Sequence, residues 1–216
     1  FLRVWRRYAR ALKQRNAVLK ANARPAELEV WEQELADSGE AITRSREAYI
    51  ARWQAVFEPE AAALAPAIGA YGLDLQPGWK RDELPLADAL LLSRPRDLQA
   101  GFTSVGPHRA DVRIGWTGLP GREALSRGQA KLTALALLLS QGGLHAEVAG
   151  DWPVIALDDL ASELDGQHQT RVVERLAATG AQVFVTGTEA PAALAAFGDR
   201  LARFRVEQGR LAPEDR

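Results

Sequence analysis

Three short segments hold residue types that can handle a triphosphate. The first is Leu125-Ser126-Arg127-Gly128-Gln129, where a loop enters an apolar, helix-forming run. A helix start leaves backbone N–H groups unsatisfied and carries the positive end of the helix dipole, so it attracts anions. Ser126 can add a hydroxyl, and Gly128 lets a phosphate approach with no side chain in the way. The same residues also read as an ordinary serine N-cap followed by a tolerated glycine, and the segment alone does not decide between the two. The second segment is Val154-Ile155-Ala156-Leu157, an apolar run expected to be a buried strand, which ends in Asp158-Asp159. Carboxylates at such an end lie in the crevice where α/β sheets bind ligands, and a hard oxygen site there suits Mg2+. Asp158 is expected to orient the metal, and Asp159 to act as the acid or base that positions the attacking water in phosphoryl transfer. The plainer use of such a pair is to cap the next turn or helix. The third segment, Ser162-Glu163-Leu164-Asp165, could pass a signal across a dimer interface, although a Ser-to-Asp turn before a helix is common. The order and spacing of the three weigh more than any one of them.

The elements that must hold these segments follow from periodicity. Phe1, Trp5, Tyr8, Leu12 and Leu19 recur at helical intervals and predict an amphipathic helix. Asn22 to Pro25 breaks it, and Pro25 suits the first turn of a second helix. There Leu28, Leu35, Ile42, Tyr49 and Val56 repeat every seven residues, joined by Trp31 and Trp53, until Pro59 interrupts the pattern. Such a helix would be roughly 45 Å long, and the two helices read as an antiparallel arm over 1–58. Gly39, beside Ser38, is the expected weak point and could kink it. Beyond the arm, 59–216 alternates strands (73–79, 112–116, 154–157, 182–185, 202–206) with helices (84–92, 129–139, 167–177, 191–197), an α/β pattern.

Composition narrows the function classes. With 25% charged residues and a formal net charge of -1, no global charge selects nucleic acid or membrane as partner. No run approaches the ~18 consecutive apolar residues of a membrane span and no signal core opens the chain, so the cytoplasm is the expected compartment and no membrane partner is expected. Cysteine is absent, which removes thiolate metal sites and cysteine nucleophiles and leaves oxygen ligands. Methionine is also absent and the chain begins at Phe1, so it is expected to have lost an N-terminal part.

Ser126 to Gln129, Asp158 to Asp159 and Ser162 to Asp165 resemble, in this order, the signature motif, Walker B strand and D-loop of ABC-type ATPase heads. Within that superfamily the chain is similar to the RecF family of recombination mediators, through Leu12-Lys13-Gln14-Arg15-Asn16, Gly106-Pro107-His108-Arg109-Ala110-Asp111 and the Ser126 segment. The likeness runs over nearly the whole chain. It implies part of an ABC-type head, three-layered with a mostly parallel sheet, carrying a helical arm. It implies ATP and Mg2+ as cofactors and a homodimer that sandwiches ATP and closes on DNA. In such a dimer Ser126, Arg127, Gly128, Gln129, Ser162 and Asp165 of one subunit meet the nucleotide held by the other. By the same resemblance the partners are RecR and RecO, the task is to help load RecA onto gapped DNA, and slow ATP hydrolysis resets the dimer. Transporter-type heads usually carry glutamate where Asp159 stands and histidine where Gly187 follows Thr186, so fast hydrolysis by their route is not expected. No Gly-Lys-Ser or Gly-Lys-Thr occurs, so no P-loop wraps the phosphates and this chain alone should not hydrolyse ATP. In the RecF pattern that loop lies upstream of Phe1.

DNA contact is expected of the first helix, where Arg3, Arg6, Arg7, Arg10, Lys13, Arg15, Lys20 and Arg24 precede any acidic residue. Such contacts would be sequence-independent and salt-sensitive. The alternative is a solvated face whose arginines pair with Glu27, Glu29, Glu32 and Glu34 of the second helix. His108, His145 and His168 are too scattered for a metal cluster, and Trp5, Trp31 and Trp53 read as packing residues of the arm. Two other readings stand beside the RecF one. A DNA-repair ATPase of the SMC or Rad50 kind would carry far longer coiled coils, and a non-enzymatic module would bind a protein through its arm.

Overall fold

In a computed structural model, residues 1–21, 25–69, 71–116, 125–160 and 164–214 are described. They form two units: Phe1–Gln54 with Gly72–Gly115, and Ala55–Tyr71 with Trp116–Arg216.

In the first unit, α1 (Leu2–Lys20) and the early part of α2 (Pro25–Leu64) pack side by side. Tyr8, early in α1, lies against Gly39, while Arg15, late in α1, bonds Glu32; the contacts run in opposite order, so the helices are antiparallel, as expected. Tyr8, Ala11, Leu35, Ala36, Ile42, Trp79, Leu86, Ala89 and Leu90 make one core, joining α1 and α2 to α3 (Leu86–Ala100). The strands β1 (Tyr71–Gln76) and β2 (Asp111–Trp116) form a two-stranded sheet. Gly39 is a close-approach residue: a Cβ there would collide with Leu86 and come within 3.2 Å of the Tyr8 ring. Its place in mid-helix is therefore set by packing.

The sequence pattern misjudged α2 in two ways. The heptad positions Leu28, Leu35 and Ile42 are buried, but Tyr49 is 42% exposed, and burial passes to Ile50, Trp53, Phe57, Ala61 and Leu64. A straight helix of 3.6 residues per turn drifts about 20° per heptad, so the buried stripe moves on by one residue. Pro59 does not end the helix, which continues to Leu64 through 40 residues, about 60 Å. Proline removes one hydrogen bond to the carbonyl four residues back, here that of Ala55, and both residues lie on the exposed side, where water can solvate that carbonyl. Pro95 repeats this in α3, opposite exposed Leu91, and α3 runs eight residues beyond its expected end at Leu92.

The second unit holds the end of α2, then α4 (Arg127–Ala149), β3 (Ile155–Leu157), α5 (Gly166–Ala177), β4 (Val183–Val185), 3-10 turns over Ala192–Arg200 broken by a kink at Gly198, and the antiparallel hairpin β5 (Phe204–Glu207) and β6 (Arg210–Pro213). Phe57, Leu64, Leu132, Ala136, Leu139, Val172, Val173 and Leu176 are buried. The buried carboxylate of Glu60 accepts two bonds of 2.8 Å from Nε of Arg175, tying α5 to the end of α2. β3 and β4 are parallel, with Ile155 opposite Val183 and Leu157 opposite Val185. The expected buried strand is corrected here. Val154 is 62% exposed, Phe184 is 52% exposed, and Ala156, opposite Phe184, is exposed too. An apolar run marks sites that can be covered, and one face of this pair has no cover among the described residues. Among the described residues the fold is mixed α/β with three two-stranded sheets, β3–β4 parallel and β5–β6 antiparallel. Among the described residues α4 alone is long and apolar enough to cross a membrane by length and composition, a test that core helices also pass.

Candidate nucleotide site

The Ser126 segment opens α4 as a complete capping box. Ser126 Oγ accepts a bond of 3.2 Å from the Gln129 N–H, and Gln129 Oε1 accepts one of 2.8 Å from the Ser126 N–H. Gln129 is thereby committed to holding the helix start. Arg127 and Gly128 lie in the first turn, whose N–H groups have no carbonyl partner within the helix. Ser126 and Arg127 are exposed, and a Cβ at Gly128 would meet nothing within 4 Å. Nothing in the packing of the described residues asks for glycine there.

Asp158 and Asp159 lie where β3 ends. Thr186, directly after β4, sits beside both. Its N–H donates to the Leu157 carbonyl at 2.9 Å, its hydroxyl donates to Asp158 Oδ1, and its Oγ1 accepts the Asp159 N–H at 3.3 Å. Asp159 takes a left-handed backbone, φ 51°, uncommon for a residue with a side chain and tolerated best by Asn and Asp. A Cβ on Gly187 would lie 3.8 Å from Asp159 Oδ1 and only 3.2 Å from the Glu189 carbonyl oxygen, so a larger residue there would press on the loop beside the acids. Thr186 is a site residue that lies outside the three motifs. Its signal is a polar residue closing the apolar run Val183-Phe184-Val185, as Asp158 closes that of β3.

Among the described residues no group of three or more His, Asp or Glu could cage a metal. Carboxylates at a strand end suit Mg2+, which keeps waters and is held by one or two carboxylates plus substrate phosphates. Asp165 caps α5: Oδ1 accepts the His168 N–H at 3.0 Å, and Oδ2 lies 2.7 Å from His168 Nδ1. Those bonds to His168 hold its carboxyl below the usual aspartate range. Ser162 and Glu163 fall outside the described residues.

On α1, Arg3, Arg6, Arg7, Arg10 and Lys13 are exposed, and the first four share a depression with Leu2. Arg7 already has a counter-ion, Glu34, on bonds of 2.8 and 2.9 Å. Arg15 leaves the expected stripe: its side chain is 0% exposed, bonded to Glu32, to Asp97 at 2.8 Å and to Thr103 at 2.9 Å. Arg24 lies outside the described residues. Two of the three stretches that carry the family likeness, Leu12 to Asn16 and Gly106 to Asp111, are linked here through Thr103. Asn16 Oδ1 accepts both the N–H and the hydroxyl of Thr103, at 2.8 and 2.7 Å. His108 Nε2 lies 3.0 Å from the Thr103 carbonyl and Nδ1 lies 2.7 Å from the Tyr8 hydroxyl. A carbonyl only accepts, so Nε2 carries the proton and Nδ1 accepts from Tyr8. Burial pushes the His108 pKa down and the Tyr8 pKa up. Gly106, at φ 122°, passes so close to Tyr8 that a Cβ would sit 2.7 Å from its hydroxyl oxygen. Trp5 stacks between Phe1 and Tyr8, with Arg46 over its ring, in the packing role expected of it.

A serine-capped apolar helix, a parallel strand pair with acids at one end, and an Asp-capped helix connecting those strands define part of an ABC-type ATPase head. The chain belongs to the RecF/RecN/SMC N-terminal domain family, whose profile matches residues 8–211. It is 58% identical over 211 residues to the DNA replication and repair protein RecF of Stenotrophomonas maltophilia (strain R551-3), covering 98% of this chain and 58% of that protein. RecF of Xanthomonas euvesicatoria pv. vesicatoria (strain 85-10) is 58% identical over 98% of this chain and 57% of its own length. A solved structure of the recombination mediator protein RecF with ATP, in the RecFOR pathway, aligns with a TM-score of 0.76 at 25% identity, covering 99% of this chain and 58% of that one. The chain thus spans less than three fifths of the length of the curated relatives it matches.

Proposed function

We propose that this chain is the signature and acid half of an ATP-dependent DNA-binding protein of recombinational repair, one that helps load RecA at gapped DNA with RecR and RecO. Two copies sandwich ATP, and the Ser126 to Gln129 loop of one caps the nucleotide of the other, with Ser162 and Asp165 on the same boundary. Asp158 holds Mg2+ and Asp159 positions the attacking water. The bound metal would neutralise charge developing on the phosphates. Arg3, Arg6, Arg10 and Lys13 offer cations to the DNA backbone, Arg7 only at the cost of its pair with Glu34. The protein is a weak, DNA-stimulated ATPase only where a P-loop completes the site, and its place of work is the cytoplasm.

The observation that carries this reading is Gly128. It lies in the first turn of α4 at an exposed helix start, and among the described residues nothing stands within 4 Å of where its Cβ would be, which suits the approach of a phosphate to the backbone N–H groups there. Its test is sizing of the protein at the full RecF length with ATP, with ADP and with duplex DNA. ATP should convert monomer to dimer, Ser126→Arg should abolish that conversion, and Asp158→Asn should impair Mg-dependent hydrolysis. An ATP-independent size, or Ser126→Arg dimerising like the parent, refutes it.

A further inference from the structure

One hydroxyl stands between the two acids of the candidate site. Thr186 donates to the Asp158 carboxylate and accepts the Asp159 backbone N–H, while its own N–H is anchored on the Leu157 carbonyl at the end of β3. Only a group that donates and accepts at once can make both contacts, and among aliphatic side chains that means a hydroxyl. The consequences differ for the two acids. Asp158 has one carboxylate oxygen fixed, which settles the rotation of the carboxylate and leaves the other oxygen for a cation. Asp159, in its left-handed backbone at φ 51°, has its N–H held in place, which retains a conformation that a residue with a side chain otherwise leaves readily. β4 brings this hydroxyl to the acids because Leu157 and Val185 are register partners, so the residue following Val185 arrives level with Asp158.

We infer that Thr186 is a positioning residue for a divalent cation and nucleotide at Asp158 and Asp159, acting through its hydroxyl rather than by touching the reacting atoms. This rests on the nucleotide-site reading above. Gly187 follows it directly: a Cβ there would come within 3.2 Å of the Glu189 carbonyl oxygen and 3.8 Å of Asp159 Oδ1, so a larger residue would crowd the loop beside the acids.

The test uses the protein at full RecF length and three variants. Thr186→Val keeps the shape and removes the hydroxyl, Thr186→Ser keeps the hydroxyl, and Asp158→Asn tests the site itself. Mn2+ binding in the presence of a non-hydrolysable ATP analogue is followed by electron paramagnetic resonance, beside kcat, KM for ATP and the unfolding midpoint. Loss of a group that orients a metal ligand costs about ten- to a hundredfold in metal affinity. Thr186→Val should therefore weaken Mn2+ by at least about tenfold and lower kcat, with KM for ATP within about twofold, and Thr186→Ser should restore both. Should valine cost the fold, Thr186→Ala takes its place in the comparison. If Asp158→Asn weakens Mn2+ while Thr186→Val does not, or if serine fails to rescue a folded protein, the positioning role is overturned and the site stands. If Asp158→Asn itself leaves Mn2+ binding unchanged, the site falls and the inference with it.

Discussion

Replacing Arg15 by methionine tests whether the buried cation is a structural keystone of the first unit. Arg15 and Asp97 have side chains with no exposure, and Glu32 is nearly covered. Without the guanidinium, Glu32 keeps Arg94 at 2.5 Å. Asp97 keeps hydrogen bonds from Ser93 and Ser104 but loses its cation. One uncompensated buried charge remains, and breaking a buried pair in this way costs about 3–5 kcal/mol. At roughly 2–4 °C per kcal/mol for a chain of this size, the midpoint of thermal unfolding should fall by about 6–20 °C. Denaturant and thermal unfolding measure the loss. Arg15→Met with Asp97→Asn should recover at least about 1 kcal/mol relative to the sum of the single changes, because the second removes the stranded charge. A loss below about 1 kcal/mol, or strictly additive variants, refutes the reasoning. The same variant separates Arg15 from the DNA-facing cations: its salt dependence of duplex binding should match the parent, whereas Arg6→Ala should reduce the slope by about one.

Gly39→Ala should destabilise by about 1–3 kcal/mol despite alanine's better helix propensity of about 1 kcal/mol, because the methyl group meets Leu86, Tyr8 and Pro107 in the core; equal or greater stability in denaturant unfolding contradicts this. Gly128→Ala should leave stability unchanged or raise it by up to about 1 kcal/mol, there being no neighbour to clash, while lowering ATP-dependent dimerisation seen by sizing. For His108 the folded pKa lies below the ordinary 6.5, so between the two values the unfolded chain binds more protons and stability rises with pH. That contribution is full above about 6.5 and is lost as pH falls through the folded value; unfolding measured from pH 5 to 7 should show this slope in the parent and lose it in His108→Gln.

The helices were legible in the sequence because burying one face imposes a period that can be read without knowing what covers it. Leu28, Leu35 and Ile42 announced α2, and Ser126 ahead of an apolar run announced the start of α4, since a serine N-cap is a device of neighbouring residues. Strand ends were legible for a similar local reason: an apolar run closing on Asp158-Asp159 marks its own boundary. Local pattern misled wherever the surroundings decided. Pro59 read as an interruption, yet it sits on a wet helix face that can solvate the carbonyl it strands. Gly39 read as a weak point because nothing nearby in sequence reveals Leu86 pressing on it. Arg15 looked like its neighbours on a basic stripe, and only the arrival of Asp97 and Thr103, more than eighty residues away, makes it a buried cation. Thr186 meets the acids through strand pairing across twenty-eight residues. Period, capping and punctuation are properties of neighbouring residues, and so the sequence carries them by itself. Which charges are buried, and which hydroxyl meets which carboxylate, depends on contacts between distant parts of the chain, and those exist only once it has folded.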